Sequence, residues 1–381
     1  MIYLDQAATS WPKPPQVVEA ITESLTRGVG NPGRGGYTLA LESERRVYEV
    51  REKAAAFFGL EDPSHVVFTS SCTEALNIVF WGALWESDHV IISSLEHNAV
   101  ARTAETLRKR GLEVSVVSCD HEHGVDYEDI IEAIRPNTKM LIWTHASNVF
   151  GTLFDLHSLG ALAREYGLAF MVDAASTAGV FPIDMEAMQI DYLALAGHKS
   201  LYGSQGIGLL LIRRDIPILE PWSSGGTVRH SEDLNMPGML PERLEAGTLN
   251  TPGIIGIGAA FDFLMERTIE AVRDHSLKLV DRLHDELCTI ENVRVYGPAR
   301  GAARAPILAF NIGYQDSNWA ALQLSRRWDI AVRAGLHNAT LAHRSAGTTT
   351  TGAVRASVGV YNTSEEIDEL VKAVHALSKE C

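Results

Sequence analysis

Short apolar runs alternate with amphipathic segments through the first two-thirds of the chain. Seven of these runs are apolar and often β-branched, which is typical of strands buried on both faces of a sheet. They occupy residues 66–68, 90–92, 114–117, 140–143, 169–172, 192–195 and 207–211. Helical periodicity lies between most of them, for example over 100–110 and 156–166. This alternation predicts an α/β fold with a mainly parallel seven-stranded sheet covered by helices.

The pattern changes after the seventh run. Residues 222–253 contain several Gly and Pro residues and little periodicity, which indicates a long functional loop at a domain junction. A helical stretch over 254–290, strand-like runs at 293–296 and 305–312, and a last helix over 364–378 follow. We therefore predict a large domain over 15–250 and a smaller α+β domain formed by 1–14 and 251–381, within the domain count that 381 residues suggest.

Composition excludes several classes of function. A net charge of −15 disfavours contact with phosphate backbones, so no nucleic-acid partner is expected. No apolar run reaches the ~18 residues that span a bilayer, and the N-terminal residues lack a secretory pattern. We expect a soluble, cytoplasmic protein without a membrane partner. The cysteines, at 72, 119, 288 and 381, form no CxxC pair, which argues against a disulfide framework and against a metal site.

Candidate chemistry lies at the ends of the predicted strands, because ligands of open parallel sheets bind beyond the carboxyl ends of strands. Residues 69–75 are small or polar and open a helix, whose free N–H groups and dipole favour a phosphate. The alternative is an ordinary helix cap by Thr73. His97 follows the strand at 90–92 and is suited to stacking on a cofactor ring or carrying protons, unless it is a surface or capping histidine.

Two further strand ends carry an aspartate and a lysine. Asp173 either caps a following helix or pairs, as a buried carboxylate, with a protonated ring nitrogen that makes the ring an electron sink. Lys199 directly follows another apolar strand, where burial near cations would lower its pKa as a Schiff-base lysine requires. A phosphate loop, a histidine, an aspartate and a lysine in this order predict an enzyme that carries pyridoxal 5′-phosphate (PLP) on Lys199.

Several motifs resemble those of the class V aminotransferase family of PLP enzymes, in particular the group of cysteine desulfurases and selenocysteine lyases. The most specific motif is Ala196-Gly197-His198-Lys199-Ser200-Leu201-Tyr202-Gly203. Similar motifs occupy residues 3–9, 31–35, 70–77, 146–149, 245–251 and 354–357, so the resemblance runs nearly end to end. It implies a PLP-dependent transferase fold of type I.

The resemblance also implies a role for individual residues. Lys199 would hold PLP and move the Cα proton of a small amino-acid substrate. His97 would stack on the ring and Asp173 would pair with its nitrogen. The rest of the cofactor site would comprise Cys72, Thr73, Asn148, Ser176 and His198. Thr248 would reach the phosphate from the other subunit of a homodimer. Arg355 would clamp the substrate carboxylate, and the other substrate contacts would be Ala7, Asn148 and Asn338.

The chain departs from the family pattern at two single positions and in one loop. Relatives carry a cysteine that accepts sulfur as a persulfide in the loop matching 332–344, where this chain has Asn338, and an amide is neither a nucleophile nor a sulfur carrier. Relatives commonly have glutamine at Ser176, so that ring contact would be lost or water-mediated. Arg229 and His230 either recognise a polar or acidic side chain in the neighbouring active site or belong to a solvated loop.

We do not expect another cysteine to replace the missing one. The backbone of Cys72 would be committed to the phosphate, and Cys381 is terminal. Cys119 and Cys288 are expected to be buried by packing.

Three hypotheses for function follow. The first is a lyase that removes the sulfur or selenium substituent from Cβ of a small amino acid and yields pyruvate and ammonia. The second is transamination, epimerisation or decarboxylation, among which fold and cofactor do not choose. The third is a catalytically idle PLP-binding partner in sulfur trafficking, which the retention of Lys199, His97, Asp173 and Arg355 argues against.

Overall fold

The computed structural model describes residues 1–228 and 233–380. In this part of the chain the strands are β1 (Ile2–Tyr3), β2 (Val66–Thr69), β3 (His89–Ser93), β4 (Glu113–Val117), β5 (Thr138–Thr144), β6 (Ala169–Asp173), β7 (Tyr192–Ala196), β8 (Gly208–Ile212), β9 (Val293–Tyr296), β10 (Ile307–Ile312), β11 (Ile330–Ala331), β12 (Arg333–Gly335) and β13 (Ala353–Ser357). The helices are α1 (Pro15–Thr26), α2 (Thr38–Phe57), α3 (Cys72–Ala83), α4 (Asn98–Arg108), α5 (Tyr127–Glu132), α6 (Leu156–Glu165), α7 (Thr251–Arg267), α8 (Ile269–Cys288), α9 (Ser317–Trp328), α10 (Thr340–Ser345) and α11 (Ser364–Ser378).

A seven-stranded sheet forms the centre of the larger unit, in the order β2-β8-β7-β6-β5-β3-β4. Strand β8 runs antiparallel to both of its neighbours, and the other neighbouring pairs are parallel. Successive side chains alternate between two apolar cores: on β6, Phe170 and Val172 join one core and Met171 joins the other. All seven predicted runs are strands of this sheet, so the predicted α/β fold with a mainly parallel sheet is confirmed.

The smaller unit is an α+β layer. Strands β12-β13-β10-β9 form an antiparallel sheet, and β1 pairs in parallel with β11. Helices α8 and α11 cover this sheet through Leu283, Leu370 and Val374, which pack in one core with Leu308 and Phe310 of β10. The last helix spans the predicted residues 364–378.

The helical stretch predicted over 254–290 consists of two helices. Helix α7 ends at Arg267 and α8 begins at Ile269, because Thr268 adopts a φ of 63° and its side chain accepts a hydrogen bond from the Ala271 N–H. Phe261 of α7 belongs to the core of the larger unit. The predicted division at residue 250 stays a prediction, and on this packing we propose that the large unit extends through α7.

The segment between β8 and α7 corresponds to the predicted long loop. Its described residues contain neither a helix nor a strand until α7 begins at Thr251, two residues before the predicted end of the loop. Asn250 caps α7 by accepting a hydrogen bond from the Gly253 N–H. None of the helices described is both long and apolar enough to cross a membrane.

Candidate active site

One cavity of about 210 Å³ lies at the carboxyl ends of β5, β6 and β7, and residues of the smaller unit close it. It brings together eleven of the predicted site residues: Ala7, Cys72, Thr73, His97, Asn148, Asp173, Ser176, His198, Lys199, Asn338 and Arg355. It also contains residues that the sequence did not single out, namely Ala8, Ser71, Ala99, Thr144, Ala175, Ala196, Arg333 and His337. Thr248 is exposed and is not among the lining residues.

One end of the cavity is suited to an anion. Helix α3 begins there at Cys72, and the cap is Ser71, whose Oγ accepts from the Glu74 N–H at 3.2 Å. The alternative of a Thr73 cap is therefore wrong, and Thr73 lies in the first helical turn, where backbone N–H groups lack intrahelical partners. A Cβ at Gly208 of β8 would lie 2.5 Å from the Ser71 carbonyl carbon, so only glycine lets β8 pass this close.

His198 and Asn148 supply polar atoms without protein partners. His198 Nδ1 and Asn148 Oδ1 are buried and have no hydrogen-bond partner in the described part of the chain. Since buried polar atoms are nearly always paired, both atoms await a ligand or a water. The helix terminus and His198 fit a phosphate, and Asn148 fits the polar edge of a ring, so the residues present fit the expected cofactor.

Asp173 ends β6 as a buried carboxylate. Its Oδ1 accepts from the Ala175 N–H at 2.9 Å and lies 3.5 Å from Cys72 Sγ. Burial, and then the charge of Asp173, raises the pKa of Cys72 well above its usual value, so the thiol is protonated and donates to the carboxylate. A turn follows Asp173, so the alternative of a helix cap is wrong.

Lys199 follows β7 in the same cavity. Burial lowers the pKa of its ammonium, and the nearby Arg355 and Arg333 lower it further, against the opposing charge of Asp173. A lowered pKa increases the fraction of neutral, nucleophilic amine, which a Schiff-base lysine needs.

The peptide before Lys199 is held by the N-terminal segment. The carbonyl oxygen of His198 accepts hydrogen bonds from Ser10 N at 3.0 Å, from Thr9 Oγ1 at 3.2 Å and from Lys13 Nζ at 2.8 Å. These donors fix the backbone from which the Lys199 side chain extends.

His97 caps α4 and also lines the cavity, so the capping interpretation is confirmed and the functional one stays a prediction. Its Nδ1 accepts from the Ala99 N–H at 3.0 Å, which assigns the ring proton to Nε2. Burial first, and then Lys199, lowers the pKa of His97 to about 4. The ring is therefore neutral at physiological pH and presents an uncharged face for stacking.

Two arginines form the other end of the cavity. Arg355 on β13 donates from Nη1 to the Asn148 carbonyl and from Nη2 to Asp5 Oδ1, both at 2.8 Å, and its buried Nε has no partner among the described residues. Arg333 on β12 is the register partner of Arg355, so the sheet brings two guanidinium groups to one place. Such a pair suits a carboxylate. Sequence reasoning missed Arg333, and no local signal marks it.

The segment matching the sulfur-accepting loop forms β12, a turn and α10. His337 and Asn338 in the turn have φ values of 50° and 53°, a conformation that asparagine tolerates better than most residues. The Asn338 carbonyl accepts from Asn98 N at 2.6 Å, and the exposed Asn338 side chain lies at the cavity mouth.

Two further cysteines lie in the described part of the chain, and both are outside the lining of this cavity. Cys119 is buried, as expected, and burial raises its pKa to about 12. Cys288 is exposed, so the expectation of burial is wrong, because it lies on the outer face of α8. Neither residue lines the cavity. Cys381, Arg229 and His230 lie outside the described residues, and their suggested roles stay predictions.

A known protein family, curated proteins and solved structures are similar to this chain over nearly its whole length. The profile of the family described as aminotransferase class-V matches residues 2–370. A "Probable cysteine desulfurase" of Methanothermobacter thermautotrophicus is 36% identical, over 99% of this chain and 94% of that protein. The apo structure of a cysteine desulfurase from Thermococcus onnurineus matches with a TM-score of 0.93 and 31% identity, over 100% of this chain and 95% of that one. The Escherichia coli cysteine desulfurase CsdA matches with a TM-score of 0.89 and 31% identity, over 100% and 94%.

Proposed function

Because this chain belongs to the class V aminotransferase family of PLP-dependent enzymes and is cysteine desulfurase-like, we propose that it is a C–S or C–Se β-lyase of a small L-amino acid. The reaction would proceed without a persulfide cysteine. One observation carries the proposal. The residues suited to hold PLP and an amino-acid carboxylate surround a single cavity, and its lining includes Asn338, which the resemblance matches to the sulfur-accepting cysteine.

Three residues of the cavity would have direct parts in this chemistry, namely Lys199, Arg355 and Arg333. When bound, PLP supplies an electron sink for the pair left at Cα after proton removal. Lys199 would hold the cofactor and then take the Cα proton, for which its lowered pKa is suited. Arg355 and Arg333 would bind the carboxylate through charge-assisted hydrogen bonds worth about 1.5–3 kcal/mol each.

The leaving group departs without a protein nucleophile. The Cβ–S bond breaks and its electron pair goes to sulfur, so that L-cysteine and one water give pyruvate, ammonia and hydrogen sulfide. The Cys72 thiol faces the cavity, but its raised pKa keeps it protonated and poorly nucleophilic. By leaving-group ability alone, selenocysteine and cystine would react more readily than free cysteine, and S-substituted cysteines are further candidate substrates.

We also propose a homodimer in which Thr248 reaches the phosphate end of the partner subunit's cavity. Its support is that Thr248 is exposed and does not line the cavity of its own chain. The net charge of −15 supports the absence of a nucleic-acid partner. A cytoplasmic location stays a prediction.

The test is a product analysis of the PLP-loaded protein incubated with L-selenocysteine, L-cystine and L-cysteine. We expect pyruvate and ammonia in equal amounts, no alanine and no persulfide on the protein. Alanine with protein-bound persulfide would restore the desulfurase reaction. A requirement for a keto acid would favour transamination, and deuterium exchange at Cα without elimination would favour epimerisation. An unchanged visible spectrum with every amino acid would favour the idle partner.

A matched pair of variants tests position 338. Asn338→Cys places a thiol at the cavity mouth and should divert part of the product from pyruvate to alanine, with sulfur retained on the protein. Asn338→Ser changes side-chain size in a similar way without sulfur and should keep pyruvate as the product. Equal product ratios for the two variants would mean that position 338 lies out of reach of the departing sulfur.

A further inference from the structure

His337 is a buried titratable group that the proposed reaction does not use. It is 5% exposed, and it lines the same end of the cavity as Arg333 and Arg355. Its Nε2 has no hydrogen-bond partner among the described residues. A buried nitrogen left unpaired is unfavourable, so a water or a ligand must satisfy it.

The other nitrogen of His337 belongs to a chain of hydrogen bonds. His337 Nδ1 lies 3.3 Å from His343 Nε2, and His343 Nδ1 lies 2.7 Å from Thr348 Oγ1. The two rings are tilted by only 13°, with centroids 5.5 Å apart. The separation of the centroids is close to the sum of the N···N distance and the radii of the two rings. The rings therefore meet edge to edge in nearly one plane, as an in-plane hydrogen bond requires, and do not overlap face to face.

This series of hydrogen bonds determines which ring nitrogens of His337 and His343 carry a proton. Burial lowers the pKa of His337 to about 2 and that of His343 to about 4, so both rings are neutral and each carries one N–H. The backbone of Thr348 favours a proton on the facing His343 nitrogen, Nδ1. His343 Nε2 then accepts from His337 Nδ1–H, and His337 Nε2 is left with a bare lone pair.

We propose that His337 sets substrate specificity by accepting a hydrogen bond from a proton-bearing substrate side chain, and that His343 is its positioning residue. The proposal rests on the proposed function and narrows its substrate class. Arg333 and Arg355 bind the carboxylate and leave the side chain beside His337. A thiol can donate to Nε2. A thioether or a disulfide would displace water and leave Nε2 unpaired, so free cysteine is favoured over cystine and S-substituted cysteines.

Binding of L-serine and L-alanine to the PLP-loaded protein tests this directly, because neither ligand contains sulfur to eliminate. Serine carries a side-chain donor, and alanine fits wherever serine fits. Titration by visible absorbance should give the wild type a dissociation constant for serine about three- to tenfold lower than for alanine. His337→Phe, which keeps a planar ring without nitrogen, should bring the ratio close to one.

Other outcomes of the serine and alanine titrations would contradict the specificity role of His337. An unchanged ratio in His337→Phe, or equal affinities in the wild type, would overturn the specificity role even if pyruvate were formed. Conversely, a lost preference in the variant would support it even if no elimination occurred, so the two proposals fail separately. His337→Leu, with a smaller side chain, provides the same measurement if the phenylalanine variant does not fold.

Two variants of His343 separate positioning from structural support. His343→Gln retains an oxygen that can accept from His337 Nδ1–H, and His343→Leu does not. The glutamine variant should keep most of the serine preference, and the leucine variant should lose it. If both variants lowered the unfolding temperature and left the ratio unchanged, His343 would have only a structural role.

Discussion

Arg355 donates a hydrogen bond from Nη2 to Oδ1 of Asp5 at 2.8 Å, so the guanidinium suited to the substrate carboxylate already has a carboxylate partner. Burial lowers the pKa of Arg355, and the charge of Asp5 opposes that shift. Asp5 therefore compensates a buried cation and fixes its orientation, while Arg355 Nε stays without a protein partner. The N-terminal segment is thus part of the active site.

Asp5→Asn should weaken both folding and substrate binding. The variant leaves Arg355 buried without a carboxylate, and because the Asp5 side chain is 20% exposed we expect a loss of about 1–3 kcal/mol, below the cost of breaking a fully buried pair. The Michaelis constant should rise several-fold because the guanidinium is less well oriented. Thermal unfolding and steady-state kinetics measure the two effects.

Asp262→Asn is the matched control, because Asp262 pairs with Lys53 at 2.6 Å on the exposed surface, where an ion pair contributes little. The control should unfold at the wild-type temperature. Equal unfolding temperatures for the Asp5 and Asp262 variants would contradict the compensating role of Asp5.

Glu96→Gln should stabilise the protein at neutral and alkaline pH. Glu96 is buried, and Oε1 accepts from Ser93 Oγ and the Thr144 N–H, whereas Oε2 has no partner in the described residues. Burial raises the Glu96 pKa from 4.5 to about 8. The folded state therefore binds more protons than the unfolded state between these values, and stability falls as pH rises through this window.

The glutamine side chain resembles the protonated acid and removes this pH dependence. The difference in unfolding temperature between Glu96→Gln and the wild type should be small at pH 5 and should grow to a maximum above pH 8. A difference that is constant with pH would show that Glu96 has its ordinary pKa.

Lys13→Met should reveal the opposite dependence at higher pH. Burial lowers the Lys13 pKa from 10.5 to about 8, so the unfolded state binds more protons between these values. The wild type should therefore gain stability relative to the variant as pH rises from 8 to 10. Lys53→Met, on the surface, is the control. Parallel stability curves for the wild type and both variants would refute the shift.

A mixture of two inactive or impaired subunits should regain activity if Thr248 acts in the partner's cavity. Lys199→Ala and Thr248→Val chains, refolded together, form heterodimers in which one cavity has both wild-type residues. Random assembly should then give about a quarter of wild-type activity. Activity no greater than the average of the two variants measured separately would place Thr248 outside the partner's site.

The sequence was most informative where local pattern decides structure. The seven strands are buried on both faces, so apolar runs identify them, and the carboxyl ends of these strands localise Lys199 and Asp173. Helix ends were less certain, because Ser71 and Thr73 are both good caps and only tertiary packing selects Ser71. The break at Thr268 carries neither glycine nor proline and leaves no local signal.

The other residues of the site reach the cavity through contacts between segments that are distant in sequence. Arg333 reaches the cavity only because β12 pairs with β13 opposite Arg355, and Asp5 only because the N-terminal segment lies beside β13. The hydrogen bonds of His337 similarly depend on how the turn after β12 folds against α10. Periodicity within a single segment contains no information about such contacts.

The central claim is that Lys199 binds the cofactor, and borohydride reduction of the PLP-loaded protein tests it most directly. Peptide mass spectrometry should place one pyridoxyl group on Lys199, and Lys199→Ala should remain unlabelled and lack the visible absorbance of the wild type. A label on another lysine, such as the half-buried Lys13, or an unchanged label and spectrum in Lys199→Ala, would contradict the account.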